Sequence, residues 1–156
     1  MTFSASEQLI KIFSTCEAAI SYAPLKNEVD LETLSIKLPA PAQRIFLPIN
    51  KNSDPFVWAE KCLDRFGGLE VCVFIPGKKF DRYGTRHGRG NGWYDRFLSK
   101  IPKRWTRIGV SSRKNVSLKK LKREAWDEPM DWLIIPDDDI SPVIKTGARK
   151  RRGKPK

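Results

Sequence analysis

The feature that most limits what this chain can fold into is the run LEVCVFI (69–75), set between Gly67-Gly68 and Pro76-Gly77. A β-branched and apolar stretch, interrupted only by Glu70 and bounded by glycine and proline, predicts a strand buried on both faces. A polar, glycine-rich stretch follows it. After that, Tyr94, Phe97, Leu98 and Ile101 recur at helical spacing, which predicts a helix over 93–101. A doubly buried strand that feeds a helix through a loop belongs to a layered α/β/α domain with a mostly parallel sheet. The rest of the chain supplies matching pieces. Ser4-x-x-Glu7 has the form of a capping box ahead of a helix with Leu9, Ile10 and Phe13 on one face. Residues 18–22 and 44–49 read as strands, and Asp30 is placed to cap a helix through Leu31, Leu34 and Ile36. Asp54, Pro55 and Gly67 bracket a helix whose apolar residues include Cys62 and Phe66. Residues 107–111 and 132–135 add two short strands. In sheets of this kind, ligands gather at the carboxyl ends of the strands.

Composition narrows the class further. The chain has 156 residues, 40% of them hydrophobic, enough for one domain and too apolar for general disorder. No apolar run approaches the ~20 residues of a membrane span. The first twenty residues lack the basic and unbroken apolar regions of a secretory signal. A soluble, cytoplasmic monomer is the expectation. Three cysteines without CxxC spacing read as thiols of a reducing compartment, and a lone histidine, His87, argues against a structural zinc site. The net charge is +12, but subtracting the seven basic residues of 145–156 leaves +5. Residues 1–143 are therefore expected to form a single domain, with 144–156 a disordered basic tail. Such a tail serves either as a solubilising terminus or as a non-specific nucleic-acid contact.

The loop before the 93–101 helix carries the chemistry. Gly84, Gly88, Gly90 and Gly92 alternate there with Arg82, Arg86 and Arg89, and Arg96 follows. Closely spaced glycines turn backbone N–H groups toward an anion, and guanidinium groups add charge-assisted donors. A polyanion such as a nucleoside triphosphate suits that set. Neither GxxxxGK[ST] nor GxGxxG occurs, so the loop is not one of the two common nucleotide fingerprints. Asp95 puts a carboxylate beside the loop, either as an oxygen ligand for Mg²⁺ or as a helix N-terminal or Arg96 partner.

Taken whole, PGKKFDRYGTRHGRGNGWYDRFL (76–98) resembles the signature of the 5-formyltetrahydrofolate cyclo-ligase (methenyltetrahydrofolate synthetase) family. The matching residues are Pro76, Gly77, Phe80, Asp81, Gly84, Arg86, Gly88, Gly90, Gly92, Tyr94, Asp95 and Arg96. Softer likenesses run from Tyr22-Ala-Pro through Glu28-Val29, at Phe46-Leu47-Pro48, at Ile108-Gly109-Val110, and at Trp126-Asp127 with Met130-Asp131. The resemblance implies the family's three-layer fold. It also implies the ATP-driven closure of 5-formyltetrahydrofolate to 5,10-methenyltetrahydrofolate, with Mg²⁺ and without a protein nucleophile. By position, Arg86, His87, Gly88, Arg89, Gly90, Asn91, Gly92, Trp93 and Tyr94 would hold ATP. Arg89, Gly90, Asn91, Gly92 and Trp93, with Ala23 and Glu28, would hold the folate. Asp95 and Asp127 would bind the metal, and Arg89, Tyr94 and Asp95 would act in catalysis.

The sequence departs from the family pattern in three places. Family members usually carry a longer N-terminal helix whose Lys and Arg reach ATP, whereas Lys11 is the only basic residue before Tyr22. The stretch 50–68 is shorter than its counterparts. Lys78-Lys79 stands where small or apolar residues are usual, which suggests a replacement source of positive charge for ATP. The alternatives are a paralogue that binds nucleotide without the folate reaction, and a nucleic-acid-binding protein using the Arg-rich loop and tail. Asp137-Asp138-Asp139 reads as a solvated turn rather than a second metal site.

Overall fold

In the computed structural model, residues 4–31, 43–48 and 52–149 are described. Helix α1 (Ala5–Ser14) begins where the capping box predicts, with the Glu7 amide donating to Ser4 Oγ at 3.2 Å. It buries Leu9 and Phe13, but Ile10, expected on the same face, is exposed. The helix leads into β1 (Ala18–Tyr22), and the helix expected from Asp30 lies, beyond Leu31, outside the described residues. Strand β2 (Gln43–Leu47) precedes α2 (Pro55–Phe66), whose first turn is capped by Asp54 Oδ1 accepting from the Phe56 amide at 2.8 Å. The central strand is β3 (Val71–Ile75), shorter than the apolar run because the Leu69 amide still donates to the Phe66 carbonyl in the turn that leaves α2.

The stretch that follows is more structured than its composition suggests. Strands β4 (Lys79–Asp81) and β5 (Arg86–His87) form an antiparallel pair, and β7 (Val116–Ser117) adds to β4 in parallel. Helix α3 (Trp93–Ser99) and strand β6 (Thr106–Val110) come between them, followed by β8 (Trp132–Ile134) and β9 (Val143–Lys145). The main sheet has the order β2-β1-β3-β6-β8-β9, parallel except for the β8–β9 pair.

Period-two alternation divides this sheet between two cores. Ala18, Ile20, Val71, Val73 and Ile75 pack with Ala59, Cys62 and Phe66 of α2 and with Phe97 and Leu98 of α3. Ala19, Cys72, Phe74, Ile108, Trp132 and Ile134 pack with Leu9 and Phe13 of α1. The result is three layers, one helix on one face and two on the other. Each buried Leu, Ile or Phe side chain contributes roughly 1.5–3 kcal/mol of burial.

The C-terminal boundary falls later than composition implies. Val143–Lys145 pairs with β8, and Arg149 grips Asp131 through Nε and Nη2 at 2.8 and 2.7 Å. Packed structure therefore runs past residue 143, and 150–156 lie outside the described residues. Among the described residues the cysteines form no disulfide, and no helix is long and apolar enough to cross a membrane.

Candidate active site

Strand order reverses at β1, whose neighbours β2 and β3 both follow it in sequence. Ligands of open α/β sheets sit at such a switch point. Ala23, Pro48 and Gly77 leave the carboxyl ends of β1, β2 and β3 there, and together they wall a small cavity of about 80 Å³. Leu25, Glu28, Lys78 and Arg89 also line it. A larger cleft, about 410 Å³, lies on the other side of the glycine–arginine loop and carries His87, Gly90, Gly92, Asp95 and Asp127. Arg86, Gly88, Asn91, Trp93 and Tyr94 face both spaces. The expected site residues thus divide between two adjoining cavities with a common wall.

That wall is built by tight packing. Arg86 is buried, its Nε donating to the Pro76 carbonyl at 2.6 Å and its guanidinium lying 4.8 Å from the Tyr94 ring centre. Burial works against its charge, while Asp95, Glu28 and Asp127 work for it, so one cation answers carboxylates on both sides. A Cβ on Gly88 would come within 2.9 Å of that guanidinium, which explains the glycine sterically. Gly90 and Gly92 are glycines for a different reason: their φ values of 93° and 67° are left-handed.

Several expected ligand contacts are already engaged within the protein. Asn91 Oδ1 accepts from the Trp93 amide at 3.1 Å and so starts α3. Trp93 is only 8% exposed, stacked on Phe97 and donating its indole N–H to the Ser53 carbonyl, so it forms wall rather than an open stacking face. His87 Nε2 donates to the Lys122 carbonyl at 2.7 Å, since a carbonyl can only accept. Burial pushes the Tyr94 hydroxyl well above its ordinary range, so it is a hydrogen-bond donor at neutral pH and not a base. Arg89 is exposed at the small cavity and has no hydrogen-bond or ion-pair partner among the described residues. Glu28 accepts from the Leu25 amide at 2.9 Å through one oxygen, which fixes the carboxylate toward the cavity it lines.

Asp95 and Asp127 are two carboxylates of the larger cleft that could hold a hard divalent cation. Asp95 Oδ1 accepts from the Glu128 amide at 3.0 Å, and Asp127 Oδ2 accepts from the Glu124 amide at 2.8 Å. The second oxygen of each has no partner among the described residues. Burial raises the Asp95 pKa above the usual carboxylate range, against the pull of the Glu128 amide and Arg86, and Asp127 adds repulsion. A cation between them would relieve both costs. No group of three or more His, Cys, Asp or Glu gathers among the described residues. Two carboxylates nevertheless suffice for Mg²⁺ that keeps water and substrate phosphate oxygens.

Sequence reasoning missed Leu25 and Pro48 on the small cavity and Lys122, Glu124 and Trp126 on the cleft. Trp126 had a signal, as the neighbour of Asp127, but Lys122 and Glu124 had none. Lys78 lines the small cavity and not the cleft, and the exposed Lys79 of β4 lines neither. The Asp137–Asp139 stretch is a turn, in which Asp138 Oδ1 accepts from the amides of Ile140 and Ser141 at 3.0 and 2.9 Å.

An open, mostly parallel sheet with two adjoining charged cavities at its switch point defines a protein of the layered α/β class. Residues 25–136 match the model of the 5-formyltetrahydrofolate cyclo-ligase family, and the chain belongs to that family. It is 33% identical over 126 residues to the 5-formyltetrahydrofolate cyclo-ligase of Mycoplasma genitalium, covering 72% of this chain and 68% of that one. The solved 5,10-methenyltetrahydrofolate synthetase of Mycoplasma pneumoniae shares the fold, with a TM-score of 0.55, 18% identity and 86% and 83% of the two chains covered. That of Aquifex aeolicus gives 0.52 at 26% identity, covering 97% and 84%.

Proposed function

We propose that this protein closes 5-formyltetrahydrofolate to 5,10-methenyltetrahydrofolate at the expense of ATP, with Mg²⁺ held by Asp95 and Asp127. The supporting observation is the pair of cavities with a common wall, one bearing Glu28 and the other the two carboxylates. The smaller space suits the pterin, whose ring N–H and amino groups donate to Glu28. The larger one suits the triphosphate, with Trp126, 69% exposed at its side, offering a stacking face for the base.

The formyl oxygen attacks the γ-phosphorus and ADP departs. N10 then attacks the activated carbon and loses its proton, and the carbon–oxygen bond to phosphate breaks. Bound magnesium supplies charge neutralisation at the phosphate oxygens. The protein's own part is orientation and electrostatics. Arg89 reaches in from the loop to the transferring group, Arg86 keeps the common wall positive, and the neutral Tyr94 hydroxyl donates to developing charge. No side chain becomes covalently attached, in keeping with a wall built of guanidinium, amide and aromatic groups.

The test is the long-wavelength ultraviolet absorbance of the methenyl product when 5-formyltetrahydrofolate, ATP and Mg²⁺ are mixed with the protein. Product should form only with all three present. ATP binding without product would identify a nucleotide-binding paralogue instead. RNA retention that falls with salt and vanishes on removing 150–156, beyond the Arg149 anchor, would favour the nucleic-acid role. Lys78 lines the same small cavity as Glu28 and contacts the folate in this scheme. Lys78→Ala should raise KM for 5-formyltetrahydrofolate roughly tenfold and leave that for ATP unchanged. Steady-state kinetics with each substrate varied in turn checks this, and a rise in the ATP value alone would return Lys78 to the phosphates.

A further inference from the structure

Away from the cavity walls, a chain of buried and half-buried charges runs from the C-terminal segment to the back of the carboxylate pair. Arg107, on β6, is 1% exposed, and its Nη1 meets Glu128 Oε1 at 2.9 Å. Its Nη2 donates to the Leu98 carbonyl of α3 at 3.1 Å. Asp95 lies one turn earlier on that same helix, and its Oδ1 accepts from the Glu128 amide. The contacts therefore close a ring: Arg107 to α3, α3 through Asp95 to the Glu128 backbone, and the Glu128 side chain back to Arg107. Asp127 is the residue immediately before Glu128. The ring is anchored from behind, because the Arg107 amide donates to Asp131 Oδ2 at 2.9 Å and Asp131 is clamped by Arg149.

We propose that Arg107 and Glu128 are a positioning pair that sets the separation of Asp95 and Asp127, and with it the affinity of the site for a divalent cation. This rests on the metal assignment above. A buried ion pair is a poor way to stabilise a fold, since its desolvation cost offsets its attraction and apolar residues of similar volume usually do as well. Arg107 is not even fully satisfied, for its Nε is buried without a partner. Directionality is what an apolar pair lacks. A guanidinium holding a helix carbonyl with one nitrogen and a loop carboxylate with another fixes the distance between helix and loop. One candidate metal-binding carboxylate stands on each.

Mn²⁺ titrated into the full-length protein with ATP present and no folate, followed by water proton relaxation, tests the assignment. Glu128→Ala should weaken Mn²⁺ binding by about tenfold or more, the usual effect of losing support behind a ligand. Its KM for 5-formyltetrahydrofolate should not move. Glu128→Gln, which keeps an acceptor for Arg107, should stay close to wild type. The double variant Arg107→Met with Glu128→Leu should recover thermal stability without recovering Mn²⁺ affinity, and it remains informative should Glu128→Ala not fold. Unchanged affinity in Glu128→Ala, or joint recovery of stability and affinity in the double variant, would overturn the positioning role. A wild-type protein that takes up no Mn²⁺ would refute the metal assignment itself, a result distinguishable from either.

Discussion

Replacing Asp95 with Asn should lower kcat/KM by about 10²–10³ while making the ligand-free protein more heat-resistant. The two effects share one cause. Burial holds the folded-state pKa of Asp95 above its ordinary 3.8, with Asp127 adding repulsion. The folded state therefore prefers the protonated form. For this group, stability is fullest below pH 3.8 and is lost as pH rises through the raised value, so at neutral pH the ionised carboxylate is a cost. Asn removes that cost and keeps an oxygen to accept from the Glu128 amide. It also removes the charge that a cation needs. Thermal melts at pH 7 with and without Mg²⁺ and ATP check both halves. The wild type should gain stability on adding them and the variant should not. The same reasoning predicts that metal affinity falls on acidification through the raised pKa. A variant that melts lower than wild type without ligand would show that Asp95 is structural.

Asp81→Ala should be the most damaging single change to the fold itself, at about 3–5 kcal/mol. Asp81 is fully buried, and its two oxygens accept from three backbone amides, those of Tyr83 and Thr85 at 2.9 Å and of Leu121 at 2.7 Å. These bonds turn the β4–β5 hairpin and tie it to the segment that leads to Asp127. Alanine would leave all three donors without their acceptor, that of Thr85 out of water. A loss of that size is a large part of the ~5–15 kcal/mol that holds a domain together. Urea denaturation measures it directly. Asp81 belongs to the most recognisable block of the sequence, yet it faces neither cavity. Activity lost at unchanged stability would assign it a chemical role instead.

What could be read from the sequence was what local chemistry encodes. Asp54, Pro55 and Gly67 bracket α2 because a cap, a ring-locked first turn and a helix stop act within a few residues. The 69–75 run announces β3 because both of its faces are buried. The signature stretch supplies many of the residues that line the two cavities, since a single loop carries them. The hairpin inside that loop was not visible, for strands of two or three residues show no alternation and their glycines read as turn. Ile10 was misplaced because neighbouring residues on α1 differ by 100° of rotation, and Leu9 and Phe13 alone define the buried stripe. The anchoring of Arg149 was hidden for a different reason. Its partner Asp131 is eighteen residues away, and beside Lys150 and Arg151 it looks like one more solvated cation. Arg107 shows the same limit, since nothing in RIGVS reveals that the arginine points inward.

Because Arg86, Gly88, Asn91, Trp93 and Tyr94 border both chambers, a substitution at any of them alters both at once, and under the proposed assignment both ligands. Kinetic constants from such variants cannot be credited to nucleotide or folate separately. Only side chains confined to one chamber, Glu28 and Lys78 on the first or Asp95 and Asp127 on the second, can serve as clean reporters of which ligand has been lost.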